Sequence, residues 1–432
     1  MKMSKIFKGD KTLWVVFLLL SIISLVEVYS AIGYEAYRLE SAGGPTGLFL
    51  RHLIIVLATW GVVIACSRIN YRFFSRFAVL GLWASVVLLA VTLMMGGRWL
   101  RIPVVNQFQP SEVAKIALIL FIARIITLKK DQVAEKSTFF SLLAYIVLVV
   151  FFVLPENFST AALLFISCYL VLFFGGVNRR WWWRILIVLV AATSIGLYAT
   201  YKDYAKKVEA EKASAARVEK TKQNYEQSST LGLERSSTWG HRVYSWLSDP
   251  NPMEISQENM ARMAVARGGL FGVGPGNTIH ARLMTQAHND FIYAIIIEET
   301  GLIGGILVLV LYSFFYFRCI RLAWRCKGRF GALTVAGLGT MIYLQALANM
   351  GVAVGILPVT GQTLPFISFG GTAYLFLGVG LGIIQSVAAD TYAEPNAAPS
   401  AESDQDSEAP TEPLEPDPDD GAMTITDDTD KN

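Results

Sequence analysis

The sequence predicts an all-α polytopic membrane protein of ten transmembrane helices with one large extracytoplasmic loop. Ten apolar runs recur along its 432 residues. Each is long enough to cross a hydrocarbon core, which takes about 20 apolar residues in a helix, and only helices or closed barrels satisfy their backbone there. Charged residues are 16% and hydrophobic residues 53% of the chain, against roughly 25% charged in soluble domains. Polar residues gather at the ends of the runs, where an ionisable group is a functional suspect because burying it in lipid is costly.

The runs fall near 13–33, 48–66, 77–95, 111–128, 138–154, 160–177, 182–200, 287–317, 332–354 and 370–388. The first follows Lys2, Lys5, Lys8 and Lys11 and lacks a small-residue cleavage site, so it reads as a retained first helix. Basic residues fill alternate connectors: the N-terminal lysines, then Arg68, Arg72 and Arg76, then Arg124, Lys129, Lys130 and Lys136, then Arg179, Arg180 and Arg184, then Arg318, Arg321, Arg325, Lys327 and Arg329. The intervening short connectors hold only Arg38, Arg51, Arg98 and Arg101. The positive-inside rule makes the first set cytoplasmic, and an even helix count then puts both termini inside. The expected organisation is a cytoplasmic N-terminus at 1–12, a membrane domain at 13–389 with an extracytoplasmic loop at 201–286, and a cytoplasmic tail at 390–432. In that loop Lys202–Gln227 mixes Lys, Glu and Ala and should be helical and exposed.

The net charge of +3 hides an asymmetry: from Asp390 onward there are 14 acids and one base, Lys431. The tail lacks the apolar content to fold. The four cysteines, Cys66, Cys168, Cys319 and Cys326, have neither metal-site nor disulfide spacing and read as structural thiols. No nucleic-acid partner is expected.

Four polar clusters fall at the predicted outer side. In the first, Gly96–Arg101 precedes Gln109–Pro110–Ser111–Glu112 and Lys115. Pro110 and Ser111 fit a helix start, and an acid in the first turn complements the helix dipole. Glu112 and Lys115, three apart, share a helix face. A capped helix explains Ser111 and Glu112 but not Lys115, a turn into an apolar span. In the second, Pro155–Thr160, Asn157, Ser159 or Thr160 caps a helix, and Glu156 has no partner in the local sequence. The third holds the glycine-rich Gly268–Asn277 and then His288–Asn289–Asp290–Phe291. Its glycines present backbone N–H groups to an anion or simply make turns. Asp290, at the mouth of an apolar span, is either a general base or a helix cap. Glu298 and Glu299, two turns deeper, point to an internal polar contact. The fourth is Asn349 and then Pro358–Thr372, where proline and glycine break helices. Non-helical backbone at that depth is tolerated only when buried in protein or lining a cavity.

Together these stretches resemble the SEDS family (shape, elongation, division and sporulation), the group of FtsW and RodA. The matching segments are QPSE-x-x-K at Gln109–Lys115, GGLFGVGPGN at Gly268–Asn277, HNDFIYAIIIEETG at His288–Gly301 and PVTGQTLPFISFGGT at Pro358–Thr372. The resemblance covers roughly residues 10–390, and the last segment and the long loop look more like the division branch than the elongation branch. Two strings depart from common family patterns: Pro155–Thr160 stands where many members have QPDxGT, and HNDF where many have HTDF.

The resemblance implies a peptidoglycan glycosyltransferase, an inverting enzyme that polymerises lipid II on the outer face of the cytoplasmic (inner) membrane. It implies a class B penicillin-binding protein, a transpeptidase, as partner, beside other division or elongation proteins. It implies Asp290 as the base that deprotonates the acceptor sugar. An anionic diphosphate leaves, so cations should stand near it. Arg51, Arg98, Arg101, Lys115 and Arg242 are the available ones, with Glu112 as the partner of Lys115. Gly274, Gly276, Asn277, His288, Pro358, Thr360, Gly361, Pro365, Ser368, Gly370 and Gly371 form the supporting loops. A divalent cation, magnesium or manganese, is a further expectation. The alternatives are a lipid II flippase and a non-catalytic division scaffold. The clustering of charges at one face counts against transport, since transporters place their sites near the midplane.

Overall fold

In the computed structural model the described residues are 7–38, 44–95, 100, 108–218, 246, 257–284 and 289–393. They form eleven α-helices: α1 Lys11–Arg38, α2 Gly44–Arg68, α3 Tyr71–Met94, α4 Pro110–Leu128, α5 Lys136–Val153, α6 Phe158–Phe174, α7 Arg179–Val218, α8 Gln257–Gly268, α9 Ile292–Arg325, α10 Arg329–Ala353 and α11 Gly371–Ala393. A 3₁₀ turn covers His280–Arg282, and the described residues hold no strand beyond one bridge between Leu100 and Phe108. Met1–Tyr392 is one compact unit. The acidic tail beyond Ala393 lies outside the described residues.

All but α8 coincide with the ten apolar runs. Eight of these helices are long and apolar enough to cross a membrane. Of the other two, α6 is shorter, and α4 carries Glu112, Lys115 and Arg124. Local signals set the boundaries. Pro110 opens α4 with its φ already helical. Asn157 caps α6, accepting from the Ser159 and Thr160 amides at 3.0 and 3.3 Å. The seventh helix runs unbroken from Arg179 to Val218, so the predicted exposed helix after residue 202 continues the span. α10 is central and packs on α4, α6 and α9. A Cβ on its Gly337 would stand 2.7 Å from both Ile119 and Val171 side chains, so the missing side chain lets three helices meet.

The long apolar run at 287–317 is not one straight helix. Gly301 breaks α9 with φ 74° and ψ −176°, a conformation essentially reserved for glycine. An uninterrupted helix would bond the amides of residues 302 and 303 to the carbonyls of 298 and 299. Instead Leu302 donates to Gly269 O at 2.9 Å and Ile303 to Leu270 O at 3.4 Å. The freed carbonyls of Glu298 and Glu299 accept from Val273 and Gly274, both at 2.9 Å. The glycine-rich loop thus replaces, bond for bond, what the break removes, as a membrane interior demands. A Cβ on Gly301 would lie 2.2 Å from Leu270 O, and one on Gly272 2.1 Å from Glu299 O. Gly301→Ala and Gly272→Ala are therefore expected to lose about 3 kcal/mol or more from strain and broken bonds. A collapse of the monodisperse detergent peak, or a large fall in melting temperature, checks this; wild-type stability in either variant refutes it.

Candidate active site

Residues 354–370 connect α10 to α11 without helix, and Leu364–Ser368 within them are buried. Its backbone survives there because side chains from four helices take its carbonyls one after another. Asn349 Nδ2 (α10) donates to Gln362 O at 2.7 Å and Gln345 Nε2 (α10) to Thr363 O at 3.1 Å. Tyr312 OH (α9) donates to Pro365 O, Tyr374 OH (α11) to Phe366 O at 3.1 Å, and Ser24 Oγ (α1) to Ile367 O at 2.7 Å. Ser24 spends its one proton on that carbonyl, so the buried His52, 2.8 Å from the same hydroxyl, is the donor of their bond through Nε2–H. Within the loop, Ser368 Oγ accepts from the Leu364 amide at 2.7 Å and donates to Asn289 O at 2.7 Å. The segment is a packed, cross-braced loop.

That brace reaches Asp290. α9 begins at Ile292 with Phe291 at the cap position and no side-chain cap, so Asp290 precedes the cap and does not fill it. It is half-buried. Its carbonyl accepts from Asn349 Nδ2 at 2.9 Å. Its Oδ2 lies 3.8 Å from where a Cβ on Gly361 would stand. Gly361 has φ +67°, so both the backbone conformation and the space beside the carboxylate suit a residue without a side chain.

Glu112 and Lys115 form a buried ion pair. Lys115 Nζ stands 2.9 and 2.8 Å from the two Glu112 oxygens, with side chains only 4% and 9% exposed. Lys115 also reaches Gln345 Oε1 at 3.4 Å. Gln345 and Asn349, one turn apart on α10, therefore connect the cation of α4 to the backbone of Asp290 through the same loop. A further tie comes from α6, where Thr160 Oγ1 accepts from Gln362 Nε2 at 2.7 Å. Glu156 meets Thr92 Oγ1 of α3 at 2.9 Å, a partner that its own hairpin does not show. Ser111 is buried in the first turn of α4 but makes no cap; Gln109 holds that position without a side-chain bond.

The paired acids are engaged internally. Glu298 Oε1 binds Arg267 Nη1 at 3.0 Å and His280 Nδ1 at 2.9 Å, and Oε2 accepts from Thr278 Oγ1 at 2.5 Å. Glu299 accepts from Ser30 Oγ and from the Gly276 amide at 3.1 Å. The Gly274 and Gly276 amides are thus directed to Glu299 of this chain, and Asn277 Nδ2 donates to Val273 O at 3.1 Å. Arg51 is exposed on α2. Pro358, Thr360, Gly370 and Gly371 are half-buried in or beside the braced loop. Arg98, Arg101, Arg242 and His288 lie outside the described residues.

The fold and site together define a multi-pass helical membrane protein in which a braced loop between two helices holds an acid and a buried ion pair in one hydrogen-bonded network. The chain belongs to the FtsW/RodA/SpoVE family of cell cycle proteins, whose pattern it matches over residues 10–393. It is 29% identical over 416 residues to the probable peptidoglycan glycosyltransferase FtsW of Enterococcus hirae, covering 90% of this chain and 95% of that one. The protein of the same name in Aliivibrio salmonicida is 27% identical over 395 residues, covering 88% of each chain. Among solved structures, the fold is similar to a chain of a peptidoglycan synthase complex that coordinates polymerization and crosslinking (TM-score 0.64, 23% identity, 89% of this chain and 98% of that one). It is also similar to a variant of the rod shape determining protein RodA of Thermus thermophilus (TM-score 0.59, 21% identity, 89% and 98% covered).

Proposed function

We propose that this protein is a peptidoglycan glycosyltransferase that polymerises lipid II into glycan strands during cell division, with its active site on the outer face of the cytoplasmic membrane and both termini in the cytoplasm. The curated relatives carry that activity in their names. The observation that carries the reading in this chain is the placement of Asp290, outside the helix start, beside a glycine, and tied by α10 to the Glu112–Lys115 pair.

In this mechanism Asp290 takes the proton of the acceptor sugar's 4-hydroxyl as that oxygen attacks the anomeric carbon of the donor MurNAc. The bond to the diphosphate breaks, undecaprenyl diphosphate leaves, and the configuration inverts from α to β. A positioned base contributes about 10²–10⁴-fold. Lys115 supplies positive charge in a low-dielectric setting, where charge stabilisation of the leaving group is worth most. Among the described residues no three His, Cys, Asp or Glu side chains come together as a metal site. Magnesium or manganese enters the proposal only as a counter-ion of the diphosphate, which chelation followed by repletion in the assay reads.

The partner in this reading is a class B penicillin-binding protein, supported by a fold neighbour that belongs to a peptidoglycan synthase complex. Purified protein, lipid II and that transpeptidase, resolved on a gel for glycan strands, test the proposal. Polymer is the expected result. Lipid movement across vesicles without polymer establishes the flippase alternative, and neither activity leaves the scaffold.

A further inference from the structure

We infer that Asn349 is a positioning residue for Asp290, an assignment that rests on the proposed role of Asp290 as base. Asn349 is fully buried, about one turn before the end of α10. Its Nδ2 group donates both of its protons, one to Asp290 O at 2.9 Å and one to Gln362 O at 2.7 Å. The amide is held in one orientation, because the flipped form would set its oxygen against two carbonyl oxygens. It clamps together two chain segments that are otherwise non-helical: the turn that carries Asp290 and the loop that carries Gly361.

The cost of this arrangement is visible. Among the described residues no group pairs with Asn349 Oδ1, although that atom is buried. A buried acceptor left without a partner costs about 1–3 kcal/mol. An apolar side chain would remove that orphan but strand the Asp290 and Gln362 carbonyls, so the amide serves the braced loop and the turn of Asp290 together. What the amide supplies is geometry. The Asp290 carboxylate hangs on a residue that no helix holds, so a shift of its pinned backbone shifts the carboxylate with it. Asn349 pins the carbonyl of Asp290 itself, and Ser368 pins that of Asn289 at 2.7 Å. One turn below on the same helix, Gln345 touches Lys115 at 3.4 Å and the Thr363 carbonyl at 3.1 Å. A single face of α10 therefore sets the separation of acid and cation.

A misplacement of about 1 Å costs about 10²-fold in rate. Asn349→Ala is expected to lower kcat for lipid II polymerisation by about tenfold to a hundredfold, with KM changed less than threefold. In the Asp290→Asn background the same substitution is expected to cost no more than a further twofold, because a positioning residue has nothing left to position. Asn349→Ser, too short to reach both carbonyls, serves if the alanine variant does not fold. Two results overturn the inference while leaving Asp290 in place: a kcat equal to wild type with only the melting temperature lowered, or the same tenfold loss in both backgrounds. Full activity in Asp290→Asn alone removes the base and the inference together.

Discussion

Asp290→Asn is expected to abolish nearly all lipid II polymerisation, by about 10²–10⁴-fold, and to leave a folded protein in the membrane. The two halves of that expectation have separate physical grounds. The loss follows from chemistry: an amide has the shape of the carboxylate but cannot accept and hold the hydroxyl proton. The preserved fold follows from how the residue is held. The Asp290 carbonyl is held by Asn349, and asparagine keeps that carbonyl. The residue stands before the helix cap, so no capping bond of α9 is lost. It is half-buried, so the exchange of one heavy atom for another of equal size leaves packing unchanged. The check is a glycan gel beside a melting curve, both with the transpeptidase partner present. Robust polymer from this variant removes Asp290 from the base role, whatever the melting curve shows.

Much of this architecture was legible because a bilayer imposes a coarse rule: apolar runs of sufficient length become helices, and the ten runs correspond to ten helices here. The buried pair Glu112–Lys115 was legible too, from two opposite charges three apart on a helix that enters an apolar span. What the sequence hid was what depends on partners far along the chain. Nothing around Gly301 marks it as a break, since glycines at 304 and 305 follow it inside the same helix. The break exists because residues 269–274, about a turn of chain folded back from α8, offer the missing donors and acceptors. The glycine-rich loop read as an anion cradle or a turn cluster; its amides serve the carbonyls of Glu298 and Glu299 and the Glu299 carboxylate. Ser111 looked like a cap and is not one, because Pro110 at the first helical position places the cap at Gln109. Gln345 left only a faint trace, a polar residue four before Asn349 on a buried helix; that spacing puts both on one face.

The Glu112–Lys115 pair separates function from structure most cleanly when both charges are removed at once. Lys115→Ala strands a carboxylate that is nearly buried, and Glu112→Ala strands an ammonium with side-chain exposure of only 4%. Breaking one side of a buried pair costs about 3–5 kcal/mol, so each single variant is expected to lose stability and activity together, and neither loss identifies the role of the pair. The double variant Glu112→Leu/Lys115→Met roughly keeps the volume and leaves no uncompensated charge. Replacing a buried ion pair with well-packed apolar groups of similar size is often neutral or stabilising, so its melting temperature is expected to return close to that of the wild type. If the ammonium exists to stabilise charge on the departing diphosphate, turnover stays at least about 10²-fold down, since nothing restores the cation. If the pair merely anchors the start of α4, turnover returns with stability. Gln345 sharpens the comparison, because its Oε1 faces Lys115 at 3.4 Å while its Nε2 holds the Thr363 carbonyl at 3.1 Å. With methionine at 115 the second bond survives, the loop beside Asp290 keeps its brace, and the missing turnover is assignable to the lost charge. A stable double variant that polymerises lipid II at the wild-type rate ends the catalytic role of Lys115.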